Sequence, residues 1–150
     1  MLEIFPDTSE TQKRILVFGA TGTIGRATVR ALSRRGYDVT CIVRPCAQVP
    51  SDLKGQYRCG NVTHVQSILN DGICNEHFDV VVSCLASRNG THDDAWAIDY
   101  QAHINALEAA RTAGVAHFIL LSAICVQKPR LAFQYAKLAF EKALIESGLR

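Results

Sequence analysis

The sequence predicts an α/β protein built on a doubly wound parallel sheet, with strand order 3-2-1-4-5 and helices on both faces. Apolar runs typical of buried strands alternate with stretches of helical periodicity five times along the chain. The first apolar run leads through a glycine-rich turn directly into a helix. A chain of 150 residues is long enough to bury a core as one domain, and we expect that domain to span residues 13–150.

The segment 13–35 contains the first strand, the glycine turn and the first helix. Residues 15–18 are apolar without interruption, as expected of a strand covered on both faces. Helical spacing begins after the turn and ends at Gly36, which suits a left-handed helix cap. The polar residues 1–12 precede this unit, and we predict a loose lead-in there.

The glycine turn, GATGTIG over residues 19–25, is the predicted phosphate site. The first amides of a helix lack intrahelical partners and carry partial positive charge, so a pyrophosphate can bind there. Gly19 permits the tight turn, Gly22 leaves room for the phosphates, and Gly25 allows close packing of helix on strand. A bare glycine triplet can also be an ordinary turn, but with a strand before it and a helix after it the motif predicts a Rossmann-like dinucleotide site, with contacts from Gly19, Thr21, Gly22, Thr23, Ile24 and Gly25.

The residue that follows the second strand, residues 38–43, determines whether such a fold prefers NAD or NADP. NAD-specific proteins place an acidic residue here to hold the ribose 2′-hydroxyl. This chain has Arg44 at that point, and Arg26 directly follows the last glycine. A guanidinium pairs with a 2′-phosphate, so the sequence favours NADPH. The alternative interpretation is that Arg44 is a solvated loop residue.

The third strand, residues 56–59, is followed by a small helix that we expect to run through Leu69. The end of this strand lies beside the adenine in such folds. Asn61 and Val62 are therefore predicted adenine contacts, with helix capping as the alternative role for Asn61.

The fourth strand is predicted over residues 78–85, and its loop rises at the same sheet edge as the glycine turn. Leu85, Ala86 and Ser87 are the predicted cofactor contacts there. A long helix follows over 96–112, in which we give Trp96 no role beyond packing. The fifth strand, 117–121, leads to Ser122, and the last helix is predicted over 131–147.

Several classes of function are disfavoured by composition. A formal net charge of +2 without a basic run gives no nucleic-acid surface. The histidines and cysteines lack metal-ligand spacing, so we expect no metal site. No apolar run reaches membrane-spanning length. Without a readable targeting segment, we expect a cytoplasmic location in a bacterium, or the chloroplast if the source is a plant or alga.

The glycine turn, Arg44, SCLAS at 83–87 and Lys137 together resemble the atypical short-chain dehydrogenase/reductase superfamily. More narrowly, ICVQKP followed by FQYAKLAFE is similar to the divinyl chlorophyllide a 8-vinyl-reductase family. This resemblance implies an NADPH-dependent oxidoreductase that reduces a vinyl group of a tetrapyrrole substrate to ethyl, in chlorophyll biosynthesis. It leaves membrane-surface contact and oligomeric state open.

The resemblance also implies roles for two residues near the carboxyl end. Lys137 would hold the nicotinamide ribose, and Ser122 would touch nicotinamide or substrate. The superfamily tyrosine four residues before the lysine is replaced by Phe133, while Tyr135 lies about 200° around the helix from it. The fold without that tyrosine also fits a non-catalytic NADP(H) sensor. Superfamily members continue into a sixth strand and a substrate region, so we expect this chain to be a truncated cofactor domain.

Overall fold

Five parallel strands form the centre of the chain in a computed structural model that describes residues 12–150. The predicted lead-in over 1–12 lies outside these described residues, apart from Gln12. The sheet order is β3-β2-β1-β4-β5, which confirms the predicted order. The strands are β1 (Arg14–Phe18), β2 (Asp38–Val43), β3 (Gln56–Cys59), β4 (Val80–Ser83) and β5 (His117–Leu120).

The sheet register brings three strand ends together. Phe18, the last residue of β1, is aligned with Ile42 of β2 on one side and with Ser83 of β4 on the other. Because the strands are parallel, the loops after β1, β2 and β4 leave the sheet at one edge. The strand order switches from one side of β1 to the other between β3 and β4, and open α/β sheets bind ligands at such a switch point.

The helices cover both faces of the sheet. Their bounds are α1 (Thr23–Arg34), α2 (Val65–Ser67), α3 (His92–Ala95), α4 (His103–Thr112) and α5 (Ala132–Glu146). Two π-helical segments complete them: Ile68–Ile73 continues α2, and Trp96–Ala102 joins α3 to α4. Gly36, Gly114 and Gly148 have positive φ just after α1, α4 and α5, which confirms the left-handed cap predicted at Gly36.

Several predicted boundaries were wrong. The fourth strand covers 80–83 instead of 78–85, because β1 offers no partner beyond Phe18. The long helix starts at His92, since the Thr91 hydroxyl accepts a hydrogen bond from the Asp94 amide and caps it. The small helix continues past Leu69 as a π-helical segment to Ile73. The fifth strand ends at Leu120.

Alternate residues of β1 enter the two halves of the core. Ile15 and Val17 pack on the α1 side, together with Val29. Leu16 and Phe18 pack on the other side, against α4 and α5. Both faces of β1 are therefore buried, which explains its unbroken apolar run. Within residues 12–150, none of the helices combines the length and apolar character that crossing a membrane requires.

Candidate functional site

The glycine turn is held by two close backbone contacts. Gly19 has φ of +74°, and a Cβ atom built on it would lie 2.6 Å from the carbonyl carbon of Cys84. A Cβ atom on Gly25 would lie 2.0 Å from the Gly19 carbonyl oxygen. Both positions require glycine because the chain packs against itself there.

Gly22 is different, because the protein leaves space around it. A Cβ atom on Gly22 would meet only the Gly19 carbonyl oxygen, at an ordinary contact distance of 3.5 Å. Gly22 caps α1 without a side chain, so no side chain of the cap residue occupies the first amides of the helix. These free amides and the open space suit an anion that approaches the backbone closely.

A cleft of about 490 Å³ opens at this edge of the sheet. It joins the glycine turn, the carboxyl end of β2 and the loop after β4, which we call the β4 loop (residues 84–90). Eight of the predicted cofactor residues line it: Gly19, Thr21, Gly22, Arg44, Val62, Leu85, Ala86 and Ser87. The other predicted site residues are not among its lining: Thr23, Ile24, Gly25, Asn61, Ser122 and Lys137.

Arg44 lies on the cleft wall with an exposed side chain, as the end of β2 predicts. Arg26 is directed elsewhere, because its Nε donates a 2.9 Å hydrogen bond to the Thr21 carbonyl. The segment after Arg44 is fastened to α1, where Arg30 and Asp52 form a 2.6 Å ion pair that lowers the pKa of Asp52. Of the two candidates for the 2′-phosphate, Arg26 and Arg44, it is Arg44 that lines the cleft.

Asn61 and Val62 have separate roles in the structure. The Asn61 side-chain oxygen accepts hydrogen bonds from the amide and the hydroxyl of Thr63, which forms a local turn. His64 is the N-cap residue of α2, so Asn61 is not the helix cap. Val62 lines the cleft, and its carbonyl accepts a 3.0 Å bond from the buried Asn105 amide.

The β4 loop is fixed by carboxylates from the following helix. The amide of Ser87 donates to Asp99 at 3.2 Å, and the amides of Arg88 and Asn89 donate to Asp94 at 2.7 and 3.1 Å. These last two bonds lower the pKa of Asp94. The wall of the cleft therefore has a set backbone shape.

Lys137 is enclosed behind that wall. Its side chain is 3% exposed, and its ammonium group lies 3.1 Å from Asp99, which is equally buried. It also donates a 2.7 Å hydrogen bond to the Leu85 carbonyl. Burial lowers the pKa of Lys137, and the Asp99 carboxylate opposes that shift. In this structure the lysine holds the β4 loop from behind.

His103 extends the same buried network. Its Nδ1 lies 2.9 Å from the Ile98 carbonyl, which can only accept, so Nδ1 carries the proton. Burial and the nearby Lys137 charge lower the pKa of His103 to about 3, so the ring is neutral. Its Nε2 is therefore the acceptor for the Ser83 hydroxyl at 2.9 Å.

The remaining residues of interest lie on the surface of α5 or beside it. The Ser122 hydroxyl is exposed and donates to the Glu141 carboxylate. Tyr135 is 50% exposed, whereas Lys137 is buried, which confirms that the two residues point in different directions. Phe133 occupies the position where the superfamily has tyrosine and is partly buried.

Sequence reasoning missed Asp99, His103 and Arg88. The first two are spaced i and i+4 in a helix whose buried face is otherwise rich in alanine and leucine. Polar residues on such a face indicate a buried network, and that signal was available. Arg88 gave no signal beyond its place after a strand.

Two further features of the described residues bear on the site. A shallow depression of about 680 Å³ lies between α4 and α5, and it contains none of the predicted site residues. Residues 12–150 contain no cluster of histidine, cysteine and carboxylate side chains able to hold a metal ion. The cleft at the glycine turn is therefore the candidate site.

A family model described as NAD(P)H-binding matches residues 19–149. The chain is 46% identical over 145 residues to divinyl chlorophyllide a 8-vinyl-reductase, chloroplastic, of Cucumis sativus, covering 89% of this chain and 35% of that protein. It is 25% identical to Photosystem II assembly factor Ycf39 of Synechocystis, covering 91% of this chain and 42% of that protein. The chain thus spans well under half of the relatives it matches.

The fold is shared with solved structures. The Bordetella bronchiseptica enzyme WbmG, crystallised in complex with NAD, superimposes with a TM-score of 0.77 at 21% identity. That match covers 95% of this chain and 52% of WbmG. At this level of identity the likeness establishes a Rossmann-like fold.

Proposed function

The chain belongs to the NAD(P)H-binding family, and from that premise we propose that it is the cofactor-binding part of an NADPH-dependent reductase. The substrate we propose is a divinyl tetrapyrrole of the chlorophyll pathway, whose 8-vinyl group is reduced to ethyl. The observation that carries the cofactor assignment is the cleft itself. It combines the start of α1, which no side chain caps, with open space at Gly22 and the exposed side chain of Arg44. The similarity to the cucumber reductase supports the substrate class.

The residues fit a bound dinucleotide. The space beside Gly22 is not used by the protein, and Gly22 is the N-cap residue of α1, so the pyrophosphate is assigned there. Arg44 is assigned to the ribose 2′-phosphate and Val62 to the adenine. When bound, the nicotinamide supplies the hydride for the reduction, while the protein supplies orientation and electrostatics.

The protein's own contribution is to shape the wall of the cleft. We assign Leu85, Ala86 and Ser87 to that wall, and we propose that Lys137 and Asp99 act by holding its backbone in place. A direct contact between Lys137 and a ribose stays a prediction, as does a contact between Ser122 and substrate. A vinyl group has no oxygen to polarise, so Phe133 in place of tyrosine is compatible with the reaction.

The choice of NADPH is tested by Arg44→Gln. Hydrogen bonds to charged groups contribute about 1.5–3 kcal/mol, so the dissociation constant for NADPH should rise roughly 10- to 100-fold. NADH lacks the 2′-phosphate, and its affinity should be unchanged. Calorimetric titration of both coenzymes measures this, with Arg34→Gln on the exposed end of α1 as the matched control. An equal loss for both coenzymes would reject the 2′-phosphate assignment.

A second candidate is a non-catalytic module that binds NADP(H) and signals to a partner. Phe133 in place of the tyrosine favours it, as does the similarity to a photosystem assembly factor. The two candidates are separated by mixing the chain with NADPH and divinyl chlorophyllide. Oxidation of NADPH with label transfer to the new ethyl group supports the reductase, whereas tight binding without turnover supports the module.

The proposed compartment follows the substrate. The plant relatives carry the word chloroplastic in their names, and the assembly factor comes from a cyanobacterium. We therefore propose that the chain works where chlorophyll precursors are made, in a chloroplast or in a bacterial cytoplasm. Fractionation of the source cells with an antibody to this chain tests the location.

A further inference from the structure

The cleft contains three charged side chains, and only one of them has been assigned. Arg44 and Arg88 are its cations, and Asp94 is its carboxylate. Arg88 belongs to the β4 loop and has an exposed side chain. It lines the same cleft as Gly19, Thr21 and Gly22 of the glycine turn.

Three consecutive amides of the β4 loop, those of residues 87–89, are not available to a ligand. The amide of Ser87 is bonded to Asp99, and those of Arg88 and Asn89 are bonded to Asp94. An anion in the cleft can therefore draw on the side chain of Arg88 but not on the backbone around it. The Arg88 guanidinium is the cationic group that this wall offers to an anion.

The charge of a pyrophosphate favours a second cation in the cleft. A pyrophosphate carries two negative charges, and a helix start offers roughly half a positive charge. Backbone hydrogen bonds lower the pKa of Asp94, which therefore adds a negative charge to the same wall. Among the described residues, the Arg88 guanidinium has no carboxylate partner, whereas Arg14, Arg30 and Arg58 each have one.

We propose that Arg88 binds the pyrophosphate of the dinucleotide together with the glycine turn. The two arginines then divide the phosphates, with Arg44 on the 2′-phosphate and Arg88 on the pyrophosphate. This inference rests on the proposed function, because it assigns a contact within the same cofactor site.

The test uses three probes that separate the phosphates: NADPH, NADH and adenosine 2′-monophosphate, which has no pyrophosphate. Arg88→Gln should raise the dissociation constants of both coenzymes by a common factor, roughly 10- to 100-fold. Its affinity for adenosine 2′-monophosphate should stay within about twofold of wild type. Arg44→Gln should show the complementary pattern, and Arg34→Gln should change none of the three.

The conservative variant separates binding from folding. Arg88→Lys keeps the charge and should lose less affinity for both coenzymes than Arg88→Gln does. Unchanged NADH binding in Arg88→Gln would overturn the proposal, and so would an equal loss for adenosine 2′-monophosphate. Weaker binding of divinyl chlorophyllide with intact coenzyme binding would assign Arg88 to the substrate instead. If the folded wild-type chain binds neither coenzyme, the proposed function itself fails.

Discussion

The buried imidazole of His103 should make the fold sensitive to mild acid. The pKa of the ring is lowered from 6.5 to about 3 in the folded chain, so the unfolded chain takes up a proton first as pH falls. The stability that depends on the neutral ring is complete above pH 6.5 and is lost progressively toward pH 3. At pH 5, which is 1.5 units below the ordinary value, the loss is about 2 kcal/mol at 1.36 kcal/mol per unit.

The measurement is the free energy of unfolding in urea at pH 7.5 and at pH 5. This window lies above the range in which ordinary carboxylates titrate. His103→Gln removes the titrating ring while its amide oxygen can still accept from Ser83. The variant should be less stable than wild type at pH 7.5, because it loses the bond to Ile98 and the packing on Phe140.

The informative quantity is the change between the two pH values. In His103→Gln the loss on acidification should be smaller than in wild type by about 2 kcal/mol. His117→Gln, at an exposed histidine, is the matched control and should keep the wild-type loss. If His103→Gln loses as much stability as wild type, the ring is not held neutral and the proton assignment in the buried network is wrong.

Two other pairs of variants test the site. Gly25→Ala places a methyl group against the Gly19 carbonyl and should prevent normal folding. In Gly22→Ala the methyl group meets no protein atom closely, so this variant should fold normally but lose coenzyme affinity. Circular dichroism measures the folding of both variants, and titration measures coenzyme affinity. Lys137→Met breaks a buried ion pair and should cost about 3–5 kcal/mol in urea unfolding. Adding Asp99→Asn removes the unpaired charge and should recover part of that loss, so additive costs would contradict the pairing.

The order of elements was predictable from the sequence because the central strands β1 and β4 are apolar runs and strand-like segments alternate with helical ones. The bounds of β2 were predicted correctly, since Arg44 and Pro45 stop that strand within the sequence itself. The ends of β4 were not, because they depend on how far β1 continues as a partner. Similarity to the cucumber reductase confirms the resemblance suggested by ICVQKP and FQYAKLAFE.

The site was predictable where it consists of backbone and strand ends. Gly19, Gly22 and Arg44 line the cleft as the motif and the strand end indicate. The surroundings of Lys137 were not predictable, because its partner Asp99 comes from a different helix and the two meet only through tertiary packing. Local periodicity places a residue on a helix face but does not say which side chain it meets there.

The π-helical segment Trp96–Ala102 has a consequence for how this helix can change during evolution. A π-helical turn accommodates one residue more than an α-helical turn, so losing one residue there would restore regular winding. Each residue advances an α-helix by about 100°, so such a loss would rotate Asp94 away from the orientation set by His103 and α4. Asp94, which holds the cleft wall, and His103, which lies in the buried network, would then no longer both point toward their present partners. The length of this segment is therefore under geometric constraint, even where its individual side chains are free to vary.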